Sequence, residues 1–280
     1  MSVLNHKAIA IMAAAVVGIS GLGVASSASA APEATLAKPA AKPTIVLVHG
    51  AWADSSSFAD VTEKLQGDGY TVLSAPNPLR GLAADAASVA AFVNQATTGP
   101  VVLVGHSYGG AVITNAANQT PTVTALAYID AFAPDQGETI VQLAGSVPGS
   151  ALAAEPQDVF DIVQDPNLPA GDPDLYVKKA LFRDAFGAKL SKSTAAVLAA
   201  SQSPVAGGAL QEPSGVAAWK TIPSFFFVGT EDKIIPVDGQ LAMAHRANGT
   251  IVKVKADHLS MLEKANDVTK LIERAAGATK

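Results

Sequence analysis

The sequence predicts an α/β protein: a doubly wound, mostly parallel sheet with a helical cap inserted between two late strands. Three observations carry that expectation. From residue 44 onward, short apolar, β-branched runs alternate with longer alanine-rich stretches of helical pattern. Most of the runs lack polar alternation, as strands buried on both faces require. One interval, residues 133–219, separates two strand runs by far more chain than a single crossover needs.

Composition bounds the rest. A chain of 280 residues is long enough for one large domain or two small ones, with a sizeable core. A net charge of -5 gives no electrostatic footprint for nucleic acid and no polybasic patch for a membrane. The absence of cysteine rules out disulfides, thiolate metal sites and cysteine nucleophiles.

Residues 1–30 read as a signal peptide. Lys7 supplies a positive start, residues 8–20 (AIAIMAAAVVGIS) an apolar stretch, and Ala28-Ser29-Ala30 a small-x-small cleavage signature. Export with cleavage between Ala30 and Ala31 is the expectation, and stable membrane insertion is not, because Gly18, Gly21 and Gly23 interrupt the apolar run. Residues 31–43 (APEATLAKPAAKP) form an Ala/Pro-rich linker.

The elements follow in order. Strands are expected at 44–48 (TIVLV), 71–74 (TVLS), 101–104 (VVLV), 123–129, 224–228 (SFFFV) and 250–254 (TIVKV). Helical spacing marks 56–66, 83–96, 110–118, 237–247 and a last stretch over 262–275. Strand and helix alternating this way imply right-handed crossovers and helices on both faces of the sheet. Within the cap, helices are expected at 174–186 and 191–201, separated by Pro- and Gly-rich turns. Turns at the carboxyl edge of such a sheet are where a site belongs.

The strongest motif is Gly105-His106-Ser107-Tyr108-Gly109-Gly110. A buried strand runs into it and a helical pattern runs out, the setting in which G-x-S-x-G presents a serine on a strained elbow. Ser107 also stands at a helix N-terminus, where backbone N–H groups favour developing negative charge. A serine that merely caps the helix is the competing reading.

With His49-Gly50-Ala51-Trp52 after the first strand, these residues resemble the α/β-hydrolase family over most of residues 44–276. The similarity is greatest to small serine carboxylesterases related to plant methyl-ester esterases and hydroxynitrile lyases, and to bacterial secreted esterases. The family's usual opening hairpin has only the Pro-rich linker in its place.

A serine needs a base to take its proton. Beyond His6 in the leader, the chain offers His49, His106, His245 and His258. The resemblance gives His49 and His106 structural roles. His245 ends a helical stretch, whereas His258 follows the last strand and fits the family order of serine, acid, histidine. Asp232, in Gly229-Thr230-Glu231-Asp232-Lys233-Ile234-Ile235-Pro236, matches the family's acid; Glu231 and Asp130 are the alternatives. The resemblance assigns the oxyanion donors to the backbone N–H groups of Ala51 and Tyr108. Trp52 either lines the substrate pocket or packs the loop core.

Ser107 at the elbow argues against the aspartate-nucleophile dehalogenases and epoxide hydrolases. Gly50 and Leu259 stand where the related hydroxynitrile lyases carry threonine and lysine. No H-E-x-x-H, clustered carboxylate–histidine set or dinucleotide fingerprint is present, so neither a metal nor another cofactor is expected. The expected activity is a secreted serine carboxylesterase acting on a small-molecule ester. Phe160, Val163, Phe182, Phe186 and Leu198 in the cap suggest a small or medium apolar one. Competing readings are a ligand-binding protein with negligible turnover, and a lipase, polyester hydrolase or perhydrolase on the same fold. Oligomeric state is not written in the sequence.

Overall fold

The computed structural model describes residues 41–167 and 169–279, so the leader at 1–30 and nearly all of the 31–43 linker lie outside the described residues. Strand β1 (Thr44–Val48) is followed by a 3₁₀ turn at Ser55–Phe58 and helix α1 (Ala59–Gly67). Then come β2 (Val72–Ser74), α2 (Leu82–Ala96), β3 (Val101–His106), α3 (Tyr108–Ala116) and β4 (Val123–Ile129). The insertion holds α4 (Ile140–Ala144), α5 (Pro156–Val159), β5 (Phe160–Val163), β6 (Asp174–Val177), α6 (Lys179–Phe186), α7 (Lys192–Ala200), β7 (Val205–Ala206) and α8 (Gly207–Gln211). The chain returns to the main sheet as β8 (Ser224–Gly229), then α9 (Val237–Arg246), β9 (Thr250–Val254), α10 (Ser260–Glu263) and α11 (Ala265–Gly277).

Six strands form one parallel sheet in the order β2-β1-β3-β4-β8-β9. Strands β3 and β8 are buried at every position, which is why their sequences carry no polar alternation. The register pairs Val48 with Gly105, His106 with Ile129 and Ile129 with Phe227, bringing the carboxyl ends of β1, β3, β4 and β8 to one edge. Helices α2 and α3 pack as one pair and α1 and α11 as another, with α3 on β3 and α11 on β4 and β8. Val268, Leu271, Ile272 and Ala275 make the buried stripe of α11 at helical spacing. No helix among the described residues is long and apolar enough to cross a membrane.

The insertion differs from its expected helices in one respect. Residues 174–177 are extended, and the helix expected from 174 begins only at Lys179. Leu175-Tyr176-Val177 follow Pro173 and favour a pleated surface. They find antiparallel partners in β5 and β7, with Phe160 opposite Val177 and Leu175 opposite Val205. The cap is therefore a small three-stranded sheet with helices around it. Helix α7 starts where Ser191 caps it, the hydroxyl accepting the Thr194 N–H at 3.0 Å.

Candidate active site

Sterics build the site first. Ser107 joins β3 to α3 with φ 52 and ψ -124, a left-handed conformation that a serine adopts only when its surroundings impose it. The imposing contacts are backbone approaches. A Cβ on Gly105 would lie 2.5 Å from the Gly109 carbonyl oxygen, and one on Gly109 would lie 2.5 Å from that of Val48. Only glycine at both positions lets strand and helix close around the serine.

His258 follows β9 on a loop at the same sheet edge. Its Nε2 lies 2.9 Å from Ser107 Oγ, and its Nδ1 lies 2.8 Å from Asp232 Oδ2. A carboxylate at Nδ1 keeps the proton there and leaves Nε2 as the acceptor for the serine hydroxyl. Asp232 is held from every side: Oδ1 accepts the Ile234 and Ile235 N–H groups at 2.7 and 2.9 Å, and Oδ2 also accepts the Gln240 side-chain amide at 2.9 Å. Burial disfavours charge on both partners. It raises the Asp232 carboxyl well above its usual range, against the pull of the Ile235 and Ile234 N–H groups, and lowers His258 to about 3. A neutral imidazole facing a serine hydroxyl is the starting state that proton abstraction requires.

The other sequence candidates sit elsewhere. Glu231, next to Asp232, points outward into ion pairs with Lys189 at 2.5 Å and Lys255 at 3.3 Å. Asp130 is buried beside the site, but its Oδ1 accepts the Gly229 N–H at 2.7 Å and its Oδ2 the Ser260 hydroxyl. It braces the Asp232 strand against the start of α10. His245 is exposed in the last turn of α9. His106 donates from Nε2 to the His258 carbonyl at 2.9 Å, fixing the loop that presents His258. His49 Nδ1 meets the Gly50 carbonyl at 2.9 Å. Gln240 was not among the candidates, and an amide on α9, eight residues past the acid, carries no motif that would single it out. Nor was Asp85, which accepts the Tyr108 hydroxyl at 2.8 Å and ties α2 to the residue after Ser107.

Neither the Ala51 nor the Tyr108 N–H finds an acceptor among the described residues, so both are free to donate. The chain around Ala51 is shaped by Trp52, which holds a positive φ of 58, and Gly50 brings this loop close against Ser107. Trp52 lines the cleft and also anchors the cap. Its Nε1 donates to the Leu175 carbonyl at 2.8 Å, and its ring stacks on Phe160 at 5.4 Å and meets Phe186 edge-on at 5.6 Å. Phe182, Phe186, Leu198 and Leu259 complete the apolar wall. Two cap residues fall outside this wall: Phe160 packs against Trp52 without lining the cleft, and Val163 is 48% exposed on β5. A larger residue at Gly50 would push its neighbours aside, since a Cβ there would lie 2.7 Å from Ser107 Cβ and 3.0 Å from His106 Nδ1.

Comparison with known proteins identifies the family. Residues 45–270, from β1 into α11, match the model of the alpha/beta hydrolase family. The carbendazim hydrolyzing esterase of a Nocardioides species is 34% identical over 110 residues, which are 35% of this chain and 46% of that protein. The alpha/beta hydrolase nvfD of Aspergillus novofumigatus is 27% identical over 84% of this chain and 97% of its own. Among solved structures, an extracellular alpha/beta-hydrolase from a Paenibacillus species superposes with a TM-score of 0.67 at 22% identity, covering 83% of this chain and 98% of that one. The matched residues are those that build the sheet and the serine elbow: the chain belongs to the alpha/beta hydrolase family.

Proposed function

We propose that this protein is a serine carboxylesterase, exported after cleavage at Ala30/Ala31, that cleaves small or medium apolar esters. The observation that carries the reading is the unbroken row Ser107 Oγ–His258 Nε2 and His258 Nδ1–Asp232 Oδ2, at 2.9 and 2.8 Å. Esterase relatives among the family members support ester hydrolysis.

In this reading Ser107 Oγ attacks the ester carbonyl carbon while its proton passes to His258 Nε2. Asp232 stabilises the imidazolium that forms and holds it in register. The Ala51 and Tyr108 N–H groups donate to the oxyanion, the contribution that weighs most in acyl transfer. His258 then returns the proton to the departing alkoxide, and water, activated the same way, releases the acid from the acyl-enzyme. A ring wholly removed from solvent (His258 is 0% exposed) favours the neutral base and strengthens each of these contacts.

Turnover of p-nitrophenyl esters of increasing acyl length, with Ser107→Ala as control, tests the proposal. Hydrolysis that disappears in the variant supports it. Tight ester binding with no turnover in the wild type would favour the ligand-binding alternative instead.

A further inference from the structure

The cleft lined by Ala51, Trp52, His106, Phe182, Phe186 and Leu259, which Ser107 and His258 do not themselves border, is too small for the substrate proposed. Expressed as space open to the centre of a water molecule, it amounts to about 20 Å³, little more than one water occupies. An ester placed for attack has two arms, and both need room.

On the far side of Phe186 lies a second cavity of about 210 Å³ by the same measure. Its walls are apolar: Ala151, Leu152, Val159, Val177 and Leu181 from the cap, with Ile234 from the loop that carries Asp232. Lys233 and Asp184 also border it. Phe186 borders both spaces, and its ring meets the His258 ring edge-on at 5.4 Å. We propose that this cavity binds the alcohol-derived arm of an ester with apolar groups on both sides of its carbonyl, and that Phe186 is the specificity-determining gate between cavity and cleft. The inference rests on the esterase reading above.

Direction follows from the chemistry. His258 Nε2 is the group placed to return a proton to the departing alkoxide, so the alkoxy oxygen lies on the His258 side of the carbonyl carbon. Phe186 stands on that side, and the cavity lies immediately beyond it. The smaller cleft, which Ala51, Trp52, Ser56 and Ser57 line together with Phe186, is left for the acyl arm. The apolar lining offers a polar alkoxy group no buried partner, which selects alkyl or aryl alcohols. Opening the gate breaks no hydrogen bond. Phe186 is the last residue of α6, and its aromatic neighbours are Phe182, stacked at 5.0 Å, the Trp52 edge and His258.

The test uses the full mature protein and two matched ester series followed by pH-stat: alkyl acetates from methyl to octyl, and methyl esters from acetate to octanoate. Phe186→Ala should raise the octyl-to-methyl acetate ratio of kcat/KM by about tenfold, the scale of burying about two further methylenes. It should leave the octanoate-to-acetate ratio of the methyl series within about threefold. Ala185→Phe, which fills the cavity from α6, should lower the alcohol-series ratio, with Leu152→Trp as the second filling variant if the first does not fold. Ratios that do not move in either direction, or a change confined to the acyl series, would overturn the gate and its assignment while leaving esterase activity intact. No Ser107-dependent hydrolysis of any ester would instead remove the esterase reading, and this inference with it.

Discussion

Replacing Asp232 by asparagine isolates the contribution of one charge and one proton. The Oδ1 position of Asp232 accepts two backbone N–H groups, from Ile234 and Ile235, so an asparagine must keep its carbonyl oxygen there. Its NH₂ group then occupies the Oδ2 position, facing His258 Nδ1 at 2.8 Å and the Gln240 amide at 2.9 Å. His258 can satisfy that donor only by moving its proton to Nε2, which turns the base into a second donor opposite the Ser107 hydroxyl. Loss of the counter-charge and of the correct tautomer should lower kcat by about 10²–10⁴, or roughly 3–5 kcal/mol of barrier. Stability should fall by only about 1 kcal/mol, for the one hydrogen bond lost to Gln240. Asp130→Asn keeps its acceptor toward the Gly229 N–H and touches neither His258 nor Ser107, and Glu231→Gln removes only exposed ion pairs. Both should therefore retain activity within about an order of magnitude. Steady-state kinetics on the three variants, each with circular dichroism and a thermal melt, decides it. An inactive Asp130→Asn beside a nearly wild-type Asp232→Asn would refute the reasoning and move the acid to the end of β4.

Further outcomes follow from other parts of the structure. Gly50→Thr drives a Cβ to 2.7 Å from that of Ser107 and should cost about 1–3 kcal/mol of stability together with most of the activity; wild-type kcat in this variant would overturn the steric argument. Trp52→Ala removes the Phe160 stack and the hydrogen bond to Leu175, so a melt should reveal a loss of about 3–5 kcal/mol and hydrogen exchange should speed up in β5 and β6. Burial and the neighbouring Asp257 raise Glu263 to about 8, so the folded state holds a proton the unfolded chain releases near pH 4.5. Stability from this group, complete below pH 4.5, is lost as pH rises to about 8. The Tm of the wild type should fall over that window relative to Glu263→Gln, and parallel curves would dismiss the linkage. N-terminal sequencing of exported protein should begin at Ala31; full-length chain found only in membranes would reverse the leader assignment.

Legibility in the sequence followed the range of the forces involved. Strands such as 44–48 and 123–129 coincide with β1 and β4 because a buried parallel strand declares itself through its own apolar run. The serine elbow was equally readable, since its glycines answer to backbone approaches within a few residues of the motif. Residues 174–177 were not, because what makes them a strand is pairing with Phe160–Val163, a long-range contact that helical spacing in 179–186 obscured. The same holds for the partners of Asp232. Its loop motif is local, but the Gln240 amide reaches it by the way α9 packs, and Asp130 resembles a competing acid until its bonds to Gly229 and Ser260 are seen.

Those long-range contacts also bear on how a substrate reaches a serine that is only 2% exposed. The turn after α6 is held to the loops of His258 and Asp232. The Lys189 N–H donates to Asp257 Oδ2 at 3.1 Å, its ammonium donates to the Lys255 carbonyl at 3.2 Å, and it pairs with Glu231 at 2.5 Å. Arg183 stiffens the turn itself by donating to the Ala188 and Leu190 carbonyls at 2.8 and 3.2 Å. Across the cleft, Trp52 ties the opposite loop to β6. Lifting the cap as a body would break charge-assisted hydrogen bonds at one end and the Trp52 anchor at the other, at about 1–3 kcal/mol for each charged contact that is not remade by water. Rotating Phe186 or Phe182 breaks none of them. The cheaper path leaves the backbone in place and moves aromatic rings, so under the proposed esterase reading a few side chains at the end of α6, rather than a lifting cap, would select among esters.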